Sequence, residues 1–177
     1  MQHDEVLLET KRFRVVRSRR LSPSGRQHER ETVEHPGSVT ILPMLGKATV
    51  CLIRNFRPSV NRTLIELPAG TLEGSEDPLK AAHRELAEET GYRAAAIERL
   101  ASFFLSPGIL NERMHLYLAS GLTPGDMNLD EGEEIERLEM PLAKALEMAL
   151  AGQIEDAKTI VGLFFYDAWR RTSSSKG

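Results

Sequence analysis

Short runs of β-favouring residues, separated by turn signals, make up the N-terminal part of the chain. Apolar and charged residues mix over 6–21 and 28–34, as expected of one or two strands followed by an exposed strand, and the SPSG motif between them is typical of a turn. Residues 38–44 and 48–54 form two more strand-like runs, and the LGK sequence between them fits a tight hairpin. The pattern therefore predicts an antiparallel strand region at the start of the chain.

Helical periodicity begins at residue 77. Asp77 is a favoured N-cap residue and Pro78 a favoured first helical residue, whereas Gly91 suits the left-handed position that ends a helix. Apolar residues recur between them at helical spacing: Leu79, Ala82 and Leu86. These signals predict a helix over Pro78–Thr90.

Strands are interspersed with a few helices in the rest of the chain. The pattern predicts strands at 63–67, 96–105, 113–119 and 135–139, helices at 141–151 and 157–171, and a disordered tail at 172–177. No internal repeat or shift in composition marks a boundary, so we expect one domain over 1–177. This order of elements is typical of an α/β or α+β sandwich.

The composition restricts the class of protein. The chain has 177 residues, 41% of them hydrophobic, which is enough for a single domain with a sizeable core. A net charge of −3 gives no general attraction to nucleic acid or to an anionic membrane. The one cysteine, Cys51, excludes a disulfide within one chain and favours a buried, inert thiol. Because neither a signal peptide nor a long apolar run is visible, we expect a cytoplasmic location without membrane contact.

Three carboxylates crowd one arc of the predicted helix. Glu85, Glu88 and Glu89 are spaced at i, i+3 and i+4, where like charges repel and destabilise a helix. Such a cluster indicates a neutralising cation, and hard oxygen ligands suit Mg²⁺ or Mn²⁺. A solvated acidic face is the alternative.

The segment from Gly70 to Tyr92, GTLEGSEDPLKAAHRELAEETGY, resembles the signature of the Nudix hydrolases, G-x5-E-x7-R-E-U-x-E-E-x-G-U, in which U is a bulky apolar residue. Every fixed position is filled: Gly70, Glu76, Arg84, Glu85, Leu86, Glu88, Glu89, Gly91 and Tyr92. The one unusual residue is Tyr92, because an aliphatic side chain is commoner there. The resemblance implies a mixed β-sheet between helices.

The resemblance also implies a metal site. Glu85 and Glu89 are then direct ligands, Glu88 contributes directly or through water, and the carbonyl of Ala69 completes the set. For Glu76 we favour an ion pair with Arg84, which would fix the loop to the helix, over a direct metal role.

Clustered carboxylates with a divalent metal suit the hydrolysis of a diphosphate, since the metal bridges phosphate oxygens and acidifies water. A general base would assist. The acidic segment DEGEE resembles the loop that often supplies it, so Glu131, Glu133 and Glu134 are candidates, with Glu133 slightly favoured. An ordinary solvated charge run is the alternative.

Flanking segments resemble the ADP-ribose pyrophosphatase group. They are RETVEH, RNFRP, ELPAG and LSPGILNER, the last with Pro107 fifteen residues beyond Tyr92, and the likeness covers about 28–165. The resemblance implies hydrolysis of ADP-ribose to AMP and ribose 5-phosphate by a homodimer, with the strands at about 5–35 helping to build the partner's site. One alternative is the same chemistry on another substrate, either a nucleoside diphosphate sugar such as GDP-mannose or a dinucleotide. The other alternative is a non-catalytic nucleotide-binding module.

Six residues in these segments are candidates for substrate binding: Arg54, Arg57, Glu66, Ser106, Gly108 and Glu112. The planar fork of Arg57 suits a phosphate, which we favour over the alternative of an ordinary surface arginine. Glu112 could position ribose hydroxyls or be an ordinary exposed carboxylate. Ser106 and Gly108 could line the site through their backbone or form a plain turn.

Overall fold

Ten strands and three helices form the part of the chain that the structure, a computed structural model, describes: residues 4–129, 132 and 134–174. The elements are, in order, β1 (Glu5–Glu9), β2 (Arg14–Leu21), β3 (Gln27–Glu34), β4 (Ser38–Leu45), β5 (Thr49–Arg57), β6 (Arg62–Glu66), β7 (Ala69–Thr71), α1 (Pro78–Thr90), β8 (Arg93–Phe104), β9 (Arg113–Thr123), β10 (Ile135–Pro141), α2 (Leu142–Leu150) and α3 (Ala157–Ser174). None of the helices in these ranges is long and apolar enough to cross a membrane.

The central sheet is mixed and has the strand order β10-β5-β4-β9-β8, with β6 paired to β5 and β7 paired to β4. Strands β4 and β9 run parallel, whereas the other pairings are antiparallel. Because successive side chains of a strand point to opposite faces, β4 contributes side chains to two hydrophobic cores, one on each face of the sheet. Val39 and Ile41 pack with α1, and Leu42 and Met44 pack with α2 and α3. The predicted sheet between helices is confirmed.

Strands β1, β2 and β3 form a separate antiparallel sheet, as the sequence predicted for the N-terminal region. Its link to the main body is the end of β3, where Val33 pairs with the 109–111 segment through two backbone hydrogen bonds of 2.8 and 3.1 Å. Val6 and Leu8 of the outer strand β1 are each 50% exposed. This sheet therefore carries apolar side chains that the rest of the described chain does not cover.

Helix α1 has the predicted bounds because both of its capping signals operate. The Asp77 side chain accepts hydrogen bonds from the amides of Leu79 and Lys80, and Gly91 takes a left-handed φ of 71°. Leu86 is fully buried, whereas Leu79, predicted on the apolar stripe, is 41% exposed.

Helix α3 extends through Ser174, three residues into the tail for which disorder was predicted. Residues 175–177 lie outside the described part.

Candidate active site

Strand β7 crosses the two most buried carboxylates of α1. Glu85 and Glu89 are 9% and 3% exposed. A Cβ at Gly70 would lie 1.7 Å from Glu85 Oε1, so only a glycine leaves space for this carboxylate. Glu89 Oε2 accepts a hydrogen bond of 2.8 Å from the Ala69 amide. The backbone at 69–70 is thus held directly against the predicted metal ligands Glu85 and Glu89.

Arg84 supplies the positive charge next to these carboxylates. Its Nη1 donates to Glu85 at 2.7 Å and to Glu88 at 3.0 Å. Its other two nitrogens make a two-point ion pair with Glu76, at 3.1 and 2.9 Å. Hydrogen bonding to Glu76 is the main cause that raises the pKa of Arg84, and Arg84 in turn lowers the pKa of Glu76. The pairing of Glu76 with Arg84 that we predicted is confirmed, and it ties the loop before α1 to the helix.

The predicted metal ligands therefore lie together but do not converge on one point. Within the described ranges, no three carboxylate, imidazole or thiol groups are placed to hold a metal ion. Electrostatics gives the reason, since Glu85 and Glu88 turn towards the guanidinium of Arg84. The donor set itself suits a hard divalent cation, because it combines three carboxylates with backbone kept close by Gly70. The residues present fit the implied metal.

Two adjoining cavities, of about 290 and about 380 Å³, meet at β7. The two cavities share four of their lining residues: Arg57, Ala69, Gly70 and Thr71. The smaller cavity extends to Ser38, Glu112 and Lys158, and the larger one to Lys11, Arg12, Arg84 and Glu85. The candidate substrate residues Arg57 and Glu112 thus share one groove with Glu85 of α1.

Arg57 is fixed by a buried carboxylate. Its Nε and Nη2 donate to Glu66 at 2.8 and 2.6 Å, and Lys158 Nζ also donates to Glu66. Burial raises the pKa of Glu66, but the bonds and charges of Arg57 and Lys158 outweigh this and hold it below its ordinary value. Hydrogen bonding to Glu66 raises the pKa of Arg57. Glu66 has no exposed surface and lines neither cavity, so the structure favours a supporting role over the substrate contact that we predicted.

Glu112 also lines the smaller cavity. Ser38 Oγ donates to Glu112 Oε1 at 2.6 Å, and His35 Nδ1 lies 3.9 Å from the same oxygen. Its side chain is only 14% exposed. Glu112 is therefore an oriented carboxylate that faces a cavity, which favours the ribose-binding interpretation over an ordinary surface position.

Three other predicted substrate residues line neither cavity. Arg54 is paired with Glu136 at 3.6 Å and borders a different depression. Its position three residues before Arg57 places it on the opposite face of β5. Ser106 and Gly108 belong to a turn in which the Ser106 carbonyl accepts from the amides at 109 and 110. That turn holds β3 to the main body, which corresponds to the plain-turn interpretation.

The acidic segment with the candidate bases is described only in part. Glu131 and Glu133 lie outside the described residues, and Glu134 is exposed immediately before β10. Both flanks are attached to the end of α1. The Asn128 amide donates to the Glu88 carbonyl at 3.0 Å, and Arg137 Nη1 donates to the Thr90 carbonyl at 3.0 Å.

The cavity residues that sequence reasoning missed include Lys11, Arg12, Ser38 and Lys158. Lys158 lies 92 residues from Glu66 along the chain, so no local spacing could relate them. Lys11 and Arg12 occupy a turn of the N-terminal sheet, whose position over the groove depends on tertiary packing. The one available signal was the basic character of the KRFR segment.

With this geometry established, comparisons with known proteins identify the family. The family model described as the NUDIX domain matches residues 34–161. The chain is 39% identical over 139 residues to an ADP-ribose pyrophosphatase of Bacillus subtilis, a match that covers 77% of this chain and 75% of the relative. The chain belongs to the Nudix family, whose hydrolases generally need divalent metal ions.

Two further relatives carry different names. A methanol dehydrogenase activator of Bacillus methanolicus is 38% identical, with 80% of this chain and 77% of the relative covered. A GDP-mannose pyrophosphatase of Escherichia coli is 36% identical, with 76% and 75% covered. A solved structure described as an ADP compounds hydrolase superimposes with a TM-score of 0.82 at 22% identity, covering 97% of this chain and 93% of that one, which supports the fold.

Proposed function

We propose that this Nudix enzyme hydrolyses the diphosphate of ADP-ribose to AMP and ribose 5-phosphate. The observation that carries the proposal is that Arg57 and the α1 carboxylate Glu85 line one cavity together with the residues of β7. A diphosphate in this groove would lie between a fixed guanidinium and the carboxylates that suit a divalent metal. The name of the Bacillus subtilis relative supports ADP-ribose as the nucleotide.

The metal in this proposal is Mg²⁺, with Mn²⁺ as the other candidate. Glu85, Glu89 and the Ala69 carbonyl would hold it, and Glu88 would contribute directly or through water. When bound, the metal neutralises phosphate charge and acidifies a water molecule. Arg84 balances the charge of Glu85 and Glu88, and Gly70 keeps the backbone close to Glu85.

The general base remains a proposal among Glu131, Glu133 and Glu134. Its support is the attachment of both flanks of this segment to α1, which carries the metal-binding carboxylates. A base must lie within hydrogen-bonding reach of the water that it activates. Replacing each glutamate by glutamine and measuring the pH dependence of kcat would identify it.

For the substrate, Arg57 would bind a phosphate through Nη1, which donates to no described residue, because Nε and Nη2 are engaged by Glu66. Glu112 would accept hydrogen bonds from ribose hydroxyls on the other side of the groove. These two residues together would orient the diphosphate relative to the carboxylates of α1.

A homodimer is part of this proposal. Val6 and Leu8 are half-exposed on β1, an edge strand of the N-terminal sheet, and apolar side chains in that position favour a partner surface. Sedimentation of the wild type and of Val6→Asp tests it, and a wild-type monomer would contradict it. The cytoplasmic location and the absence of nucleic-acid and membrane partners stay predictions.

The decisive experiment is product analysis with Mg²⁺ on ADP-ribose, GDP-mannose, NADH, FAD and diadenosine polyphosphates. We expect preferential release of AMP from ADP-ribose, lost in Glu89→Gln and after metal removal by EDTA. Preference for GDP-mannose, the substrate in the name of the Escherichia coli relative, would overturn the choice of substrate but not the chemistry. Binding without turnover of any compound would favour the non-catalytic module.

A further inference from the structure

Lys158, in the first turn of α3, is a nearly buried cation at the edge of the smaller cavity. It is 8% exposed, and its Nζ donates to Glu66 and, at 2.9 Å, to Asp156 Oδ1. A lysine is rarely this buried unless it is paired. Its ammonium is therefore part of a chain of charges that runs from α3 to the end of β6.

That chain continues to the groove through Glu66. Both carboxylate oxygens of Glu66 are engaged, since Oε1 accepts from Arg57 Nε, and Oε2 accepts from Arg57 Nη2 and from Lys158. A side chain with no exposed surface cannot contact a substrate. Any influence of Glu66 on the substrate must therefore pass through Arg57, which lines both cavities.

The first turn of α3 gives this chain a rigid origin. Asp156 Oδ2 accepts from the Thr159 amide at 2.9 Å, as a helix-capping carboxylate does. Thr159 Oγ1 in turn accepts from the Leu67 amide at 2.7 Å. The adjacent residues Lys158 and Thr159 thus hold the adjacent residues Glu66 and Leu67, immediately before Pro68 and strand β7.

We propose that Lys158 is a positioning residue for Arg57, acting through Glu66, and that it sets the affinity for the substrate phosphate without contacting it. Without Lys158, Glu66 Oε2 keeps only the bond from Arg57, and the pair is free to move towards the cavity. A displaced guanidinium makes a weaker contact with phosphate oxygens. The inference rests on the phosphate-binding role that the proposed function gives to Arg57.

A double-mutant cycle with Lys158→Met and Glu66→Gln tests this role through the separate effects on KM and kcat. We expect each single variant to raise KM by about tenfold, with kcat changed by less than about twofold. The double variant should be no worse than the poorer single variant, because both changes break the same support. Unlike Lys158→Met alone, the double variant has no carboxylate at position 66 that has lost its lysine partner. Lys144→Met, at an exposed lysine of α2, is the control and should leave KM unchanged.

Two outcomes would overturn the inference. Effects on KM that multiply in the double variant would mean that Lys158 binds the substrate independently. A lower melting temperature with an unchanged KM would mean that Lys158 only stabilises the fold. If the wild type does not hydrolyse ADP-ribose, the proposed substrate is wrong, and this result is independent of the mutant cycle. The cycle is then measured with whichever compound of the panel the wild type hydrolyses.

Discussion

Gly70 lies so close to the carboxylate of Glu85 that a Cβ at this position would be 1.7 Å from Oε1 and 1.9 Å from Cδ. A methyl group there must displace the carboxylate or the β7 backbone. The first residue of the family signature is therefore required for the space that it leaves to the Glu85 carboxylate.

Gly70→Ala is consequently expected to destabilise the protein by about 1–3 kcal/mol, the usual cost of overpacking, and to reduce kcat at least about tenfold. Chemical denaturation and steady-state kinetics measure the two effects. Gly108→Ala is the matched control for stability, since its added methyl group meets nothing within 4 Å, and it should change the free energy of unfolding by less than about 0.5 kcal/mol. Equal stability of both variants would contradict the packing argument.

The Glu66 charge makes a pH-dependent contribution to stability. Its folded-state pKa lies below the ordinary value of 4.5, so the stabilisation is complete above that value and is lost as the pH falls through the folded-state pKa. Glu66→Gln should lower stability at pH 7 by on the order of 3 kcal/mol, because it removes the charge of a buried pair.

Thermal unfolding between pH 3 and pH 7 checks this prediction. The difference in melting temperature between wild type and Glu66→Gln should narrow as the pH falls below about 4.5. A difference that stays constant over this range would show that the charge of Glu66 contributes little.

Lys11 and Arg12 on the β1–β2 turn form no ion pair with any described residue and line the cavity that contains Glu85. Replacing both by alanine should raise KM for a diphosphate substrate about three- to tenfold, with a smaller effect at high salt, because exposed cations attract anions through a screened field. Arg26→Ala removes a cation from the other turn of the same sheet and should have no effect on KM. Equal effects of the two changes would refute a local role.

Tyr92, the unusual residue of the signature, is hydrogen-bonded to β10, the strand that follows the acidic segment. Its hydroxyl donates to Glu139 at 2.6 Å, and the Arg137 guanidinium lies 4.8 Å from the ring centroid. Tyr92→Phe should cost about 0.5–1.5 kcal/mol of stability, the usual net value of one hydrogen bond. Tyr166→Phe is the control, because its hydroxyl makes no hydrogen bond within the described part of the chain.

The same bond raises the pKa of Tyr92 above its ordinary value of 10. A raised pKa means that the neutral hydroxyl is stabilised, so this contribution is complete below pH 10 and is lost as the pH rises further. Denaturation at pH 8 and pH 11 should show the cost of Tyr92→Phe shrinking at the higher pH. If Tyr92→Phe lowered the free energy of unfolding equally at both pH values, the loss would come from packing and not from the hydrogen bond.

The local sequence determined the features that depend on short spacings. The bounds of α1 followed from its two caps, and the carboxylate arc with its Arg84–Glu76 pair followed from helix periodicity and the signature. The predicted strands followed from the pattern of apolar residues, and the sheet between helices followed from the resemblance to the family signature. Each of these depends on residues that are close along the chain, where backbone geometry alone fixes the neighbours.

Tertiary structure decided which residues reach the groove. Of the arginines at 54 and 57, only Arg57 lines it, and Glu66 supports Arg57 from a fully buried position. Lys158 reaches Glu66 from 92 residues away. The β1–β2 turn lines a cavity with β7, and β3 of the same sheet is hydrogen-bonded to the 109–111 segment. These contacts join segments whose distance is set by chain packing, a long-range property that local propensity and spacing do not encode.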